Sequence, residues 1–188
     1  MDSRLELIKR IIIPETQSEE RIIIDSRFVE GAFFGKPRSG HPEGGVIYHV
    51  GDVLDNVNKY GDASHREKLR FIAIVHDSFK YLVDRNKPRT GENNHAVIAR
   101  HFAEEYTNDL ETLGVIELHD HAYNIWRKCH ERGKMDRAER KARALINRLG
   151  SYIDLFLLFY QCDNHVRGKE RDHFLWFSNL SRELWTDY

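Results

Sequence analysis

The dipeptide of His76 and Asp77 interrupts an apolar run, FIAIVHDSFKYLV, that covers residues 71–83. In a helical register His76 shares its stripe with Leu69 and Ile72, which is the stripe that faces a core. A buried carboxylate without a partner is costly by several kcal/mol. We therefore expect Asp77 to be paired with a cationic group or to coordinate a cation.

Other predicted helices also place an imidazole or a carboxylate on an apolar stripe. One core histidine is usually satisfied by a backbone carbonyl, but several helices with the same inward placement predict a shared site. Imidazole and carboxylate ligands favour iron, manganese, nickel, zinc or cobalt over calcium, with one or two ions bound. In the helix of His119, His121 remains the alternative. The candidate ligands are His49, His76, Asp77, His95, His119 and Asp163.

Along most of the chain, apolar residues recur at spacings of three and four, which is typical of amphipathic helices. The pattern predicts an all-α fold, a compact single-domain bundle of about seven to nine helices over residues 1–188. Two stretches rich in Gly, Pro and Asn, residues 31–45 and 84–94, are expected to be loops that frame a pocket. The predicted helices cover residues 3–13, 19–29, 46–60, 66–83, 94–106, 113–130, 137–148, 152–165 and 171–185.

Composition narrows the class of protein. The chain has 188 residues and a formal net charge of −1, which argues against a wholly basic nucleic-acid binder and against an acidic tail protein. Cys129 and Cys162 form neither a disulfide framework nor a CxxC site, so we expect a reducing, cytoplasmic location. The longest apolar run, residues 152–160, contains Asp154 and is shorter than the ~20 residues of a membrane span. No membrane partner is expected.

The order of the candidate ligands resembles that of the HD superfamily of metal-dependent phosphohydrolases. His49, the His76 and Asp77 pair, and the distant Asp163 follow one another as in that signature. The segment HPEGGVIYHV, residues 41–50, resembles the HPEG-x-V-x-x-H segment in HD domains of the bacterial tRNA nucleotidyltransferase type and of some RNA-repair enzymes. HDSFK matches the HD-x-x-K form. The resemblance covers about residues 37–169 and implies an HD-type helical domain.

The resemblance also implies roles for the ligands. His49, His76 and Asp163 would hold a divalent ion, and Asp77 would bind it and orient the attacking water. In two-metal relatives the counterparts of His95 and His119 complete a second site, with the HD aspartate bridging the ions. The ions taken by such sites include Mn, Fe, Ni, Co, Zn and Mg.

Cationic side chains near these ligands in sequence are candidates for binding a phosphate. Lys80, one turn after Asp77, is either a catalytic contact to a phosphate oxygen or a solvated lysine on an exposed face. The basic loop 84–94 is either a lid or an ordinary connection. Residues 127–148 carry nine Lys or Arg and three acidic residues, and they either attract RNA or form the solvated side of a helix. The other candidate substrate-binding residues are Arg38, His41 and Arg167.

Together these features predict a cytoplasmic metal-dependent phosphohydrolase that cleaves a phosphoester of a nucleotide or of an RNA end with metal-activated water. Its partner would be a phosphorylated small molecule, a nucleotide or an RNA end rather than DNA, and a homo-oligomer is left open. The alternative is a non-catalytic helical binding or scaffold protein with a structural or vestigial metal site.

Overall fold

The computed structural model describes residues 3–37, 44–166 and 168–186. All regular elements in these ranges are helical, so the predicted all-α class is confirmed. Three short 3-10 turns cover Lys80–Leu82, Gly91–Asn93 and Gly150–Tyr152. The α-helices are α1 (Ser3–Ile11), α2 (Gln17–Ile24), α3 (Ser26–Ala32), α4 (Val46–Tyr60), α5 (Arg66–Val75), α6 (His95–Ala103), α7 (Leu110–Leu118), α8 (His121–His130), α9 (Met135–Leu149), α10 (Ile153–Asn164) and α11 (Asp172–Thr186).

Local polar bonds shorten or divide some of the predicted helices. The segment 19–29 forms two helices, because the backbone N–H of Asp25 closes α2 while its carboxylate accepts a bond from Arg27 N to begin α3. The predicted helix 66–83 ends at Val75. After Val75 the backbone bonds tighten to a spacing of three residues, with Ser78 N on Val75 O at 3.1 Å and Lys80 N on Asp77 O at 3.2 Å.

Helices α4, α5, α7 and α10 pack against one another around the centre of the described part of the chain. Their inward faces carry fully buried aliphatic and aromatic side chains such as Val53, Ile72, Val115 and Phe159. Helix α6 packs on α7 and so reaches the same centre. Because burial of these apolar faces fixes the helices, the polar side chains that interrupt them are brought together.

The N-terminal helices α1 and α3 pack on α4, and an ion pair joins α2 to α5. Arg70 of α5 is 4% exposed, and its guanidinium donates to the carboxylate of Glu19, which is fully buried, at 2.8 and 3.0 Å. The same guanidinium donates to Ile13 O at 2.9 Å. These bonds attach α2 to the helix that leads into His76.

A second contact joins α3 to the segment that follows α5. A Cβ atom at Gly31 would lie 1.7 Å from the carbonyl oxygen of Ser78, closer than any side chain allows. Glycine is thus required for the two backbones to approach. Over the described ranges, no helix is both long enough and apolar enough to cross a bilayer.

Candidate metal centre

Side chains from three parts of the fold meet at one buried point, and we call them the inner group: His49 from α4, His76 and Asp77 at the end of α5, and Asp163 from α10. The Nε2 atoms of His49 and His76 are 3.3 Å apart, and each lies 3.6 Å from Asp77 Oδ2. Asp163 Oδ1 lies 3.0 Å from His49 Nε2 and 3.9 Å from His76 Nε2. The ligand atoms of His49, His76 and Asp77 therefore lie close together, and Asp163 lies beside the two imidazoles.

The spacing of the inner group suits a small divalent cation. With bonds of about 2.1 Å to nitrogen or oxygen, two ligands lie ~3.0 Å apart at a right angle and ~3.4 Å apart at a tetrahedral angle. The ligand-to-ligand distances that the inner group shows, from 3.0 to 3.9 Å, cover this range. The residues present thus fit a divalent metal ion.

A second set, the outer group, consists of Asp77, His95 and His119. The Nε2 atoms of the two imidazoles are 3.3 Å apart and lie 3.4 and 3.6 Å from Asp77 Oδ1. Since Asp77 Oδ2 faces the inner group, the two oxygens of one carboxylate face two sets of ligands. Each of the triads His49–His76–Asp77 and Asp77–His95–His119 could hold a metal ion.

Backbone carbonyls fix the orientation of two of these rings. His76 Nδ1 lies 3.0 Å from Ala73 O, and His119 Nδ1 lies 2.8 Å from Ile116 O. A carbonyl only accepts, so Nδ1 of each ring carries a proton and Nε2 faces the centre. In the neutral form of each ring, Nε2 presents the lone pair that a ligand to a metal requires.

Burial and charge set the protonation of the site. Burial lowers the pKa of His76 to about 3, so its imidazole is neutral. Burial alone would raise the pKa of Asp77, but Lys80 and His76 hold it well below its usual range. Burial opposes the charged form of His119, yet the carboxylates of Asp120 and Asp77 raise its pKa to about 9. The outer group thus attracts positive charge.

Both carboxylates of the inner group contact an ammonium group. Lys80 Nζ donates to Asp77 Oδ2, and burial lowers the Lys80 pKa while the charges of Asp77 and Asp120 raise it by more. Lys169 Nζ donates to Asp163 Oδ1 at 2.7 Å and to the main-chain oxygen of Asp163 at 2.9 Å. Lys80 is 29% exposed, so it lies at the site and not on a solvated face. Its contact with substrate stays a prediction.

Three of the predicted site residues fall outside the described part of the chain, and the alternative ligand His121 belongs to neither triad. Arg38, His41 and Arg167 lie outside the described residues, and their predicted substrate contacts stay predictions. His121 is the first residue of α8. It belongs to neither triad, whereas His119 belongs to the outer group.

The two basic segments, residues 84–94 and 127–148, have defined positions in the fold. Asn93 organises the loop 84–94, since its amide bonds Asp84 N, Asp84 O and Pro88 O. Residues 127–148 form the end of α8, a turn and most of α9, with exposed cationic side chains. RNA binding there stays a prediction.

Asp120 lies in the site although sequence reasoning did not select it. Its Oδ2 atom is 3.4 Å from His95 Nε2, and its Oδ1 atom is 3.7 Å from His119 Nε2. The signal in the sequence is the dipeptide itself, since His119 and Asp120 repeat the His-Asp pair of residues 76–77. Each pair directly follows an apolar helix.

The fold and these two groups are compatible with an HD-type metalloprotein. Comparison of the chain with protein-family models, with curated proteins and with solved structures finds no match.

Proposed function

We propose that this protein is a metal-dependent phosphohydrolase of HD type, which uses metal-activated water to cleave a phosphoester in a nucleotide or at an RNA end. The observation that carries the proposal is the carboxylate of Asp77. Its oxygens face a pair of imidazoles on either side, and a lysine ammonium contacts one of them. A carboxylate placed between two pairs of imidazoles suits hydrolytic metal chemistry.

A divalent ion, when bound, would acidify a water molecule toward a pKa of about 7 and withdraw charge from phosphoryl oxygens. The other steps belong to the chain. His76 presents Nε2 because Ala73 O holds its Nδ1 proton. Asp77 accepts a hydrogen bond from the attacking water and so orients it toward phosphorus. Lys80 places an ammonium where charge accumulates on the phosphoryl group.

Exposure suggests the direction from which a substrate enters. The side chains of His49 and His76 are 3% and 1% exposed, whereas those of Lys80 and Asp120 are 29% and 37% exposed. A phosphate that approaches past these last two side chains would meet Lys80 before it reaches the imidazoles. The proposed binding site for the phosphate is therefore the side of the centre formed by Lys80 and the outer group.

A second candidate is a non-catalytic helical binding or scaffold protein. The observation in its favour is that Lys80 and Lys169 already neutralise Asp77 and Asp163. A cluster balanced in this way can contribute to a stable core without a metal ion. The two candidates differ in whether metal loading produces turnover.

The test is a substrate screen with metal-stripped protein reloaded with Mn²⁺, Fe²⁺, Co²⁺, Ni²⁺, Zn²⁺ or Mg²⁺. The panel contains bis(p-nitrophenyl) phosphate, nucleoside 2′,3′-cyclic phosphates, nucleoside and deoxynucleoside mono- and triphosphates, and an RNA oligonucleotide with a cyclic phosphate end. We expect turnover of at least one nucleotide or RNA substrate that requires metal. Stoichiometric metal binding without turnover of any substrate would favour the scaffold protein.

Replacing Lys80 by methionine tests its contact with phosphate. We expect kcat/KM to fall about ten- to a hundredfold, because a hydrogen bond to a charged group contributes ~1.5–3 kcal/mol. The number of bound Mn²⁺ ions should not fall, since a metal ion can replace the ammonium beside Asp77. Steady-state kinetics and calorimetric titration measure the two effects.

Lys128→Met, at an exposed position of α8, is the control. Unchanged kcat/KM in Lys80→Met would assign Lys80 to charge balance alone.

A further inference from the structure

We propose that Asp120 is a fourth ligand of the outer group, which the resemblance to two-metal relatives does not include, and that this partly exposed ligand makes the ion of the outer group weaker and more exchangeable than the ion of the inner group. The inference rests on the proposed function for its chemical purpose, but its test measures metal binding without turnover. The chemical class of the ligand is a divalent cation with affinity for imidazole and carboxylate, such as Mn²⁺ or Co²⁺.

Asp120 lies as close to the imidazoles of the outer group as Asp77 does. His95 Nε2 lies 3.4 Å from an oxygen of each carboxylate. His119 Nε2 lies 3.6 Å from Asp77 Oδ1 and 3.7 Å from Asp120 Oδ1. Ligands at about 2.1 Å from one ion are separated by ~3.0–3.4 Å at ordinary angles. Small side-chain adjustments would thus complete a set of four ligands.

The local backbone explains why Asp120 has this position. His76 and His119 each form the C-cap of an apolar helix, both with αR backbone angles. Each ring bonds through Nδ1 to the carbonyl three residues before it. In each pair the aspartate oxygen lies nearly the same distance from the preceding Nε2, 3.6 Å for Asp77 and 3.7 Å for Asp120. One structural unit is therefore used twice, once at the end of α5 and once at the end of α7.

Charge balance supports a cation beside Asp120. The inner carboxylates of Asp77 and Asp163 each contact a lysine ammonium. Across residues 3–37, 44–166 and 168–186, the ion-pair partners of Asp120 within 4 Å are the imidazoles of His95 and His119. Lys80 attracts Asp120 at longer range, and a divalent ion held between Asp120 and the two imidazoles would balance its charge directly.

The difference in burial predicts the order of affinities. The Asp163 side chain of the inner group is 16% exposed, and the Asp120 side chain is 37% exposed. Water reaches the outer position more easily, so its electrostatic attraction for an ion is weaker and its ion exchanges faster. We expect a tight first binding step at the inner group and a weaker second step at the outer group.

The experiment titrates metal-stripped protein with Mn²⁺ by calorimetry and measures bound Mn by elemental analysis. The wild type should bind two ions in two steps. Asp120→Asn should weaken the second step about ten- to a hundredfold and leave the first step unchanged. Asp120→Glu, which keeps the carboxylate, should retain a second ion.

Asp154→Asn, at an exposed position on α10, is the matched control and should behave as the wild type. Thermal unfolding followed by circular dichroism checks that each variant is folded.

Electron paramagnetic resonance gives an independent readout. Two Mn²⁺ ions that share the Asp77 carboxylate should give an exchange-coupled spectrum, and Asp120→Asn should give the spectrum of an isolated Mn²⁺ ion at the same metal concentration. A wild type that saturates at one ion would overturn the inference, as would an Asp120→Asn variant with two unchanged steps or with a weakened first step. Hydrolysis by a one-ion protein would still leave the proposed function in place, and two-ion binding without hydrolysis would leave this inference in place.

Discussion

Asp77→Asn is expected to lower kcat/KM by at least about a hundredfold and to weaken metal binding at both groups. The two oxygens of Asp77 face different imidazole pairs, with Oδ2 3.6 Å from His49 Nε2 and Oδ1 3.4 Å from His95 Nε2. Asparagine keeps one oxygen and replaces the other by an amide NH₂ group, which does not bind a cation. Elemental analysis, calorimetry and steady-state kinetics measure the loss.

Comparison with single-group variants makes this prediction specific. His49→Gln should affect only the tight step and His95→Gln only the weak step, whereas Asp77→Asn should affect both. Asp55→Asn, an exposed carboxylate on α4, is the control and should leave metal and turnover unchanged. Turnover by Asp77→Asn within a fewfold of the wild type would refute the role of Asp77 in both groups.

Arg70→Met is expected to lower the free energy of unfolding by about 3–5 kcal/mol, the usual effect of removing one partner of a buried ion pair. Glu19 is fully buried and would keep its carboxylate without the guanidinium that now donates to it at 2.8 and 3.0 Å. The main-chain oxygen of Ile13 would lose its donor as well. Urea unfolding, followed by circular dichroism, measures the change.

Two further variants separate charge from packing. The double variant Arg70→Met with Glu19→Gln removes both charges and should recover much of the lost stability. Arg143→Met removes an exposed partner of Glu139 on α9, and we expect an effect of at most about 0.5 kcal/mol. A loss in Arg70→Met no greater than that in Arg143→Met would mean that the buried pair does not stabilise the fold.

Helical periodicity predicted the fold class and the segments that become helices, because burial of one apolar stripe dominates the placement of each element. It did not predict where the helices end. Those boundaries depend on local bonds, such as the bond from Arg27 N to the Asp25 carboxylate and the bond from Ser78 N to Val75 O. Bonds of this kind leave the apolar pattern unchanged, so periodicity does not predict them.

At the candidate metal centre, the sequence predicted the residues that interrupt an apolar stripe and missed one that does not. His76 and His119 stood out because each interrupts an apolar stripe, and the structure brings both to the centre. Asp120 is partly exposed and follows the stripe instead of interrupting it, so the same criterion missed it. Contacts between segments that are distant in sequence, such as Glu19 on Arg70, depend on tertiary packing that sequence spacing does not encode.

The close approach of Gly31 to Ser78 O connects the N-terminal helices to the candidate metal centre. Ser78 directly follows Asp77, and its main-chain carbonyl packs against Gly31 of α3. The region that resembles HD domains begins only near residue 37. A fragment that starts there would keep the six ligands first selected from the sequence, yet it would lack the α3 backbone that packs against the residue after Asp77. Such a fragment would contain the ligands of the centre without the packing of α3 against the segment that carries Asp77.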